Sequence, residues 1–280
     1  MNNSNIGFMQ GRLSPVVNGK IQEFPWGNWQ QEFIVANRIG LTIMEWTLDQ
    51  DRLYKNPLMT ESGQKEIAKL SGDYGIRIPS LTGDCFMQSP FWKLFGSEKK
   101  NRQNDFLSIL EACSKVGITT IVVPLVDAGR IDSNEQLSAL LDFLHDIESN
   151  INNNGIQIVF ESDFNPDDLA TFIQQFDLKI FGINYDIGNS AALGFDIKQE
   201  FSAYGDRIKN VHIKDRKLGG TTVPLGTGNA DFNKVFTQLK KINYRGNYIL
   251  QTARAINEDH SGILSYYMKM TEKWICIDGS

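Results

Sequence analysis

A single (β/α)8 barrel is expected for this chain on three grounds. Eight short β-rich runs recur along the 280 residues, beginning near Ile6, Leu41, Ile76, Thr119, Ile156, Phe181, Ile208 and Asn247. Segments with apolar residues at helical spacing lie between them, so strand and helix alternate to the end of the chain. The strand starts are on average roughly 34 residues apart, the size of one βα unit, and no Pro/Gly/Ser-rich linker divides the pattern. Eight such units favour one closed barrel over residues 1–280, with an open doubly wound sheet as the alternative.

The elements follow in order. The first run, Ile6-Gly7-Phe8-Met9-Gln10-Gly11, leads into Arg12-Leu13-Ser14-Pro15, which lacks the G-x-G-x-x-G of a dinucleotide fold. Gly40, Gly75, Gly117 and Gly155 each stand between a helical segment and the next strand, as left-handed C-terminal caps do. Helical spacing is clearest over residues 104–117, 134–151, 167–176, 231–242 and 260–275. Asn165-Pro166-Asp167-Asp168 supplies an N-cap, a first-turn proline and two acids that suit the helix dipole. Gly226-Thr227-Gly228-Asn229-Ala230-Asp231 reads as a turn before a capped helix. No P-loop, G-x-S-x-G elbow or C-x-x-C pair is present in the sequence.

Composition narrows the partners. Hydrophobic residues at 41% and charged residues at 22% suit a folded, soluble chain. A net charge of -5, from 28 basic and 33 acidic residues, argues against nucleic acid and leaves a small molecule as the expected partner. Cys85, Cys113 and Cys276 are too few and too far apart for a disulfide framework or a thiolate metal site, which suits a reducing cytoplasm. The opening MNNSNIGFMQGRL has no basic region followed by an apolar stretch, and no later segment approaches bilayer-spanning length, so no membrane association is expected. Homo-oligomerisation is left open.

In a parallel barrel, chemistry is carried at the C-terminal ends of the strands. Four successive runs end in Glu161, Asp186, His212 and Gln251, about one βα unit apart. Two carboxylates, an imidazole and an amide oxygen make a mixed O/N set that suits Mg²⁺, Mn²⁺, Co²⁺ or Zn²⁺. Each also has a plain reading: Glu161 as a cap or loop ion pair, Asp186 as the acceptor of a turn, His212 as a hydrogen-bonded core residue. His145 and His260, on polar helix positions or at a helix start, are expected to face solvent. Lys214, Asp215, Arg216 and Arg254 form a charged rim that either holds a phosphate or a sugar carboxylate or is simply solvated. Arg12, Glu45 and Asp84 close the first three runs and are candidates for hydrogen bonds to sugar hydroxyls. Trp26, in the aromatic loop Phe24-Pro25-Trp26-Gly27-Asn28-Trp29, either walls a sugar ring or docks on the scaffold.

Phe160-Glu161-Ser162, Tyr185-Asp186-Ile187-Gly188-Asn189, Val211-His212-Ile213-Lys214-Asp215 and Val223-Pro224-Leu225-Gly226-Thr227-Gly228 together resemble the sugar isomerase/epimerase superfamily with the xylose-isomerase-like barrel. That superfamily includes ketose 3-epimerases, hydroxypyruvate isomerase, inosose dehydratase and endonuclease IV, and the resemblance spans essentially the whole chain. It implies a divalent metal on Glu161, Asp186, His212 and Gln251, with proton abstraction beside a carbonyl through an enediolate. Glu161 is the implied base, Lys214, Glu45 or bound water the candidate second acid, and Asn189 stands where several epimerases carry a substrate-binding His. Gln251 departs from the family's last Glu and cannot exchange a proton at neutral pH. The implied function is therefore a sugar or sugar phosphate isomerase/epimerase, with a dehydratase on the same site or a non-catalytic sugar-binding protein as alternatives. Met9-Gln10-Gly11-Arg12-Leu13 and Leu250-Gln251-Thr252-Ala253-Arg254 further resemble a branch found among surface-sugar biosynthesis proteins. A three-zinc nuclease would need many more His ligands than His212 alone.

Overall fold

The computed structural model describes residues 5–276 and shows the expected closed ring of parallel strands. They are β1 (Ile6–Met9), β2 (Ile43–Thr47), β3 (Arg77–Thr82), β4 (Thr120–Leu125), β5 (Gln157–Ser162), β6 (Phe181–Asp186), β7 (Ile208–Ile213) and β8 (Asn247–Leu250). Neighbours in sequence are neighbours in the ring, and β1 closes it against β8 through Ile6 with Tyr248, Gly7 with Ile249 and Phe8 with Leu250. Each strand begins within two residues of its expected start.

Helices cover the outside of the ring. The five expected helical segments form over Gly96–Val116, Asn134–Asp146 with Glu148–Asn153, Pro166–Ile173, Phe232–Lys241 and His260–Ile275. All four glycine caps lie at positive φ, between 65° and 84°, where a side chain would be strained. Asn165 Oδ1 accepts from Asp168 N, and Asp231 Oδ1 accepts from Lys234 N, as the capping motifs require. Ile187–Leu193 and Ile197–Tyr204 are two helices that the periodicity did not single out; both are short and capped by the preceding aspartate.

The barrel floor is packed to contact. Met9, Ile43 and Ile249 fill it, and a Cβ at Gly7 would stand 2.6 Å from Ile43 Cγ2 and 2.9 Å from Ile249 Cδ1. Two expectations change here. His260, at the start of the last helix, is buried, whereas His145 is exposed as anticipated. The aromatic loop docks on the scaffold: Phe24 is fully buried, its N–H donates to Asp49 Oδ2, and Trp26 packs edge-on against it at 4.9 Å with Arg52 over the Trp26 ring. Among the described residues no helix is long and apolar enough to cross a membrane.

Candidate active site

Strand register brings the site together. Asp186 ends β6 directly beside His212 of β7, and Glu161 is the penultimate residue of β5. The donor atoms of Glu161, Asp186 and His212 all lie within 4.8 Å of one another, and all three side chains are buried. Asp186 has two tasks, because its Oδ1 caps helix Ile187–Leu193 through Asn189 N while its Oδ2 turns to the cluster. The turn-acceptor reading of this residue is met by Oδ1, and Oδ2 is left on the side of the cluster.

His212 is fixed from below. Its Nε2 lies 2.7 Å from Glu45 Oε1, and Glu45 Oε2 accepts from Ser80 Oγ at 2.7 Å and Asn210 Nδ2 at 2.9 Å. A carboxylate on Nε2 keeps a hydrogen on that nitrogen and aims the other, Nδ1, at the acids above: 3.1 Å to Glu161 Oε2 and 3.9 Å to Asp186 Oδ2. Burial works against a charged imidazole, but Glu45 and Glu161 outweigh it and push His212 up to about 10. Burial likewise opposes ionisation of Glu161, yet the hydrogen bond and charge of His212, with Lys214, hold that carboxyl below its usual range. An imidazolium Nδ1–H thus points at Glu161 Oε2, and a cation bound among Glu161, Asp186 and His212 would take the place of that proton.

Two amides orient the Glu161 carboxylate. Asn189 Nδ2 donates to Oε1 at 2.6 Å and Asn184 Nδ2 to Oε2 at 2.9 Å. Asn210 Nδ2 donates to Asn184 Oδ1, which sets the sense of that amide, and Arg216 Nη1 does the same for Asn189 Oδ1. Lys214 Nζ bridges Asp186 Oδ2 at 3.1 Å and Gln251 Oε1 at 3.2 Å. A divalent cation fits this donor set: two carboxylates, an imidazole whose second nitrogen is already bonded to a carboxylate, and the Gln251 amide oxygen alongside.

Above the cluster opens a cleft of about 870 Å³ whose lining includes Gln22, Asp84, Glu161, Asn189, Lys214 and Gln251. Arg216 also lines it. Other expected sugar contacts sit elsewhere. Glu45 lies fully buried beneath His212. Asp215 accepts the N–H groups of Gly226, Gly228 and Ala230, so it holds the loop before helix Phe232–Lys241. Arg254 clamps the carbonyls of Gly11 and Ser14, and Arg12 binds those of Ile21 and Thr252; both staple the β1 loop to the end of β8. Trp26 is on the docked loop described above.

Gln22, Ser80, Asn184 and Asn210 were not singled out by sequence. Asn184 and Asn210 did carry a signal: each stands in an apolar strand two residues before a cluster residue, which places it on the same inward face. Gln22 carried none, because it reaches the cleft from an irregular loop.

Comparison with known proteins agrees with the geometry. Residues 33–264 match the family model described as xylose isomerase-like TIM barrel. SgbU of Haemophilus influenzae is 27% identical over 251 residues, covering 82% of this chain and 86% of that one. The L-ribulose-5-phosphate 3-epimerase UlaE of Escherichia coli is 25% identical over 246 residues, covering 82% and 84%. Among solved structures, the D-allulose 3-epimerase of Methylomonas sp. in complex with D-allulose superposes with a TM-score of 0.74 at 16% identity, over 96% of each chain.

Proposed function

The chain belongs to the xylose isomerase-like TIM-barrel family, and from that premise we propose that it is a sugar or sugar phosphate isomerase/epimerase that moves a proton beside a carbonyl. One observation carries the reading: a buried carboxylate, Glu161, is held ionised and aimed by two amides at the edge of a polar cleft, beside a site that fits a divalent cation. The ion would be held by Glu161, Asp186 and His212, with Gln251 alongside, and would supply electron withdrawal from the oxygens of an open-chain sugar.

The residues of the chain account for the remaining work. Glu161 abstracts the proton; its low carboxyl range keeps it a base at neutral pH. Asn184 and Asn189 hold it in one orientation, so little motion is needed on the way to the transition state. Glu45 keeps His212 in place. Lys214, poised on Asp186 and Gln251, contributes positive charge where the enediolate forms. Asn189 and Arg216 offer hydrogen bonds to sugar hydroxyls along the cleft. We place this activity in the making of surface sugars, on the strength of the opening and β8 segments. Incubation of Mn²⁺-loaded protein with a panel of aldoses, ketoses and their phosphates in D₂O tests the function: deuterium should enter beside the carbonyl, and Glu161→Gln should abolish that entry. Unchanged exchange in the Glu161→Gln protein refutes the assignment of the base.

A further inference from the structure

Resting on the isomerase reading above, we propose that Asp84 is a second catalytic proton-transfer residue, which reaches the substrate from another wall of the cleft and supplies the proton that Gln251 cannot. Asp84 opens the short helix after β3 and lines the same cleft as Glu161. Gln22 Nε2 donates to its Oδ2 at 2.6 Å, whereas Oδ1 takes no hydrogen bond from the described residues. One carboxyl oxygen is thus anchored and the other is available to a substrate.

Gln251 is tied into the same arrangement. Lys214 can only donate, so its contact identifies the facing Gln251 atom as the amide oxygen. The Gln251 amide nitrogen then meets Gln22 Oε1 at 3.0 Å, an oxygen that Arg12 Nη2 also contacts at 3.3 Å. Only the Gln22 nitrogen is left to face Asp84. The chain Lys214, Gln251, Gln22, Asp84 is therefore locked in one sense, with a cation at one end and a carboxyl at the other. A carboxylate at position 251 would set oxygen against Gln22 Oε1, so a glutamine there suits this wall and the acid function lies at Asp84. Burial, then the charge of Asp49, push the Asp84 carboxyl up to about 7; Glu161 adds to this, while the Gln22 hydrogen bond and the Arg12 charge oppose it. Asp84 can hold a proton where Glu161 has none.

In the resulting step, Glu161 takes the proton from the carbon beside the carbonyl and the C–H electron pair becomes the enediolate. Asp84 gives its proton to the other face of that carbon, the enediolate pair forms the new C–H bond, and Asp84 is left as carboxylate. Loss of one proton from Glu161 to water and gain of one by Asp84 restore the starting state.

The test separates the two half-reactions. Wild-type, Asp84→Asn and Asp84→Glu proteins, each with Mn²⁺, are incubated in D₂O with L-ribulose 5-phosphate and with D-allulose, and followed by NMR. The wild type should give an epimer deuterated at the inverted carbon. Asp84→Asn should still exchange deuterium into recovered starting sugar while epimer formation falls about a hundredfold or more, and Asp84→Glu should restore part of it. Epimer formation at the wild-type rate by Asp84→Asn overturns the proposal, and so does joint loss of exchange and epimer in a folded Asp84→Asn protein, because the first half takes its base from Glu161 and not from Asp84. A wild type that exchanges no hydrogen with these sugars or with a wider ketose panel overturns the isomerase reading instead.

Discussion

Replacing Glu45 by Gln removes one charge and no volume, yet it should damage both the fold and the cation site. The position is fully buried, and its two oxygens serve different donors: Oε1 faces His212 Nε2, while Oε2 accepts from Ser80 Oγ and Asn210 Nδ2. An amide has only one oxygen. If its nitrogen turns down, it meets Asn210 Nδ2, which cannot flip without breaking its bond to Asn184 Oδ1. If its nitrogen turns up, it meets His212 Nε2–H. Either way one buried donor loses its acceptor, a cost of about 1–3 kcal/mol. At roughly 2–4 °C per kcal/mol for a chain of this size, the metal-free protein should melt several degrees lower. The orientation of His212 also loosens, and loss of such a supporting carboxylate costs about 10–100-fold in metal affinity. Differential scanning calorimetry and Mn²⁺ titration calorimetry on Glu45→Gln check the two effects separately. Wild-type Mn²⁺ affinity in the variant would refute the argument that Glu45 sets the His212 tautomer.

Three further outcomes follow from the structure. Asp84 is a raised acid, so the folded state binds its proton more tightly than the unfolded chain; its stabilising contribution is full below about pH 3.8 and is lost as pH rises to about 7. Asp84→Asn should therefore be more stable than wild type to urea at pH 8 and nearly equal at pH 4; a lower urea midpoint at pH 8 would contradict this. Asp215→Ala leaves three backbone N–H groups without their acceptor and should cost about 2–4 kcal/mol in urea unfolding; a loss below 1 kcal/mol would show that the loop finds other partners. Gly7→Ala forces a Cβ to within 2.6 Å of Ile43 and should cost about 1–3 kcal/mol in the barrel floor, with a matching fall in melting temperature.

The fold was legible because its signals are local and repeat. A strand buried on both faces reads as an apolar run, and each helix that preceded a glycine cap announced its own end. The cluster was legible for a related reason: Glu161, Asp186 and His212 each interrupt such a run at its C-terminal end. What sequence could not supply was distance across the ring. Glu45 looked like a residue for sugar hydroxyls, but it lies 2.7 Å from an imidazole 167 positions away. Asp215 and Arg254 likewise carry charge beside the mouth, and only the loop geometry reveals that backbone groups occupy them. Short helices such as Ile187–Leu193 escaped because seven residues give periodicity too little to repeat.

The seam where β1 meets β8 has a consequence for how the enzyme comes into being. Gln22 belongs to the first loop of the chain and Gln251 directly follows its last strand, 229 positions later, and they touch only once the ring has shut. Arg12 on Thr252 and Arg254 on Gly11 and Ser14 lock that same join. A ribosome must therefore release almost the entire polypeptide before the cleft has its full set of groups. Partly made or C-terminally clipped chains should carry Glu161, Asp186 and His212 yet lack the wall that Gln251 helps to hold, so completion of this site waits on the end of the chain.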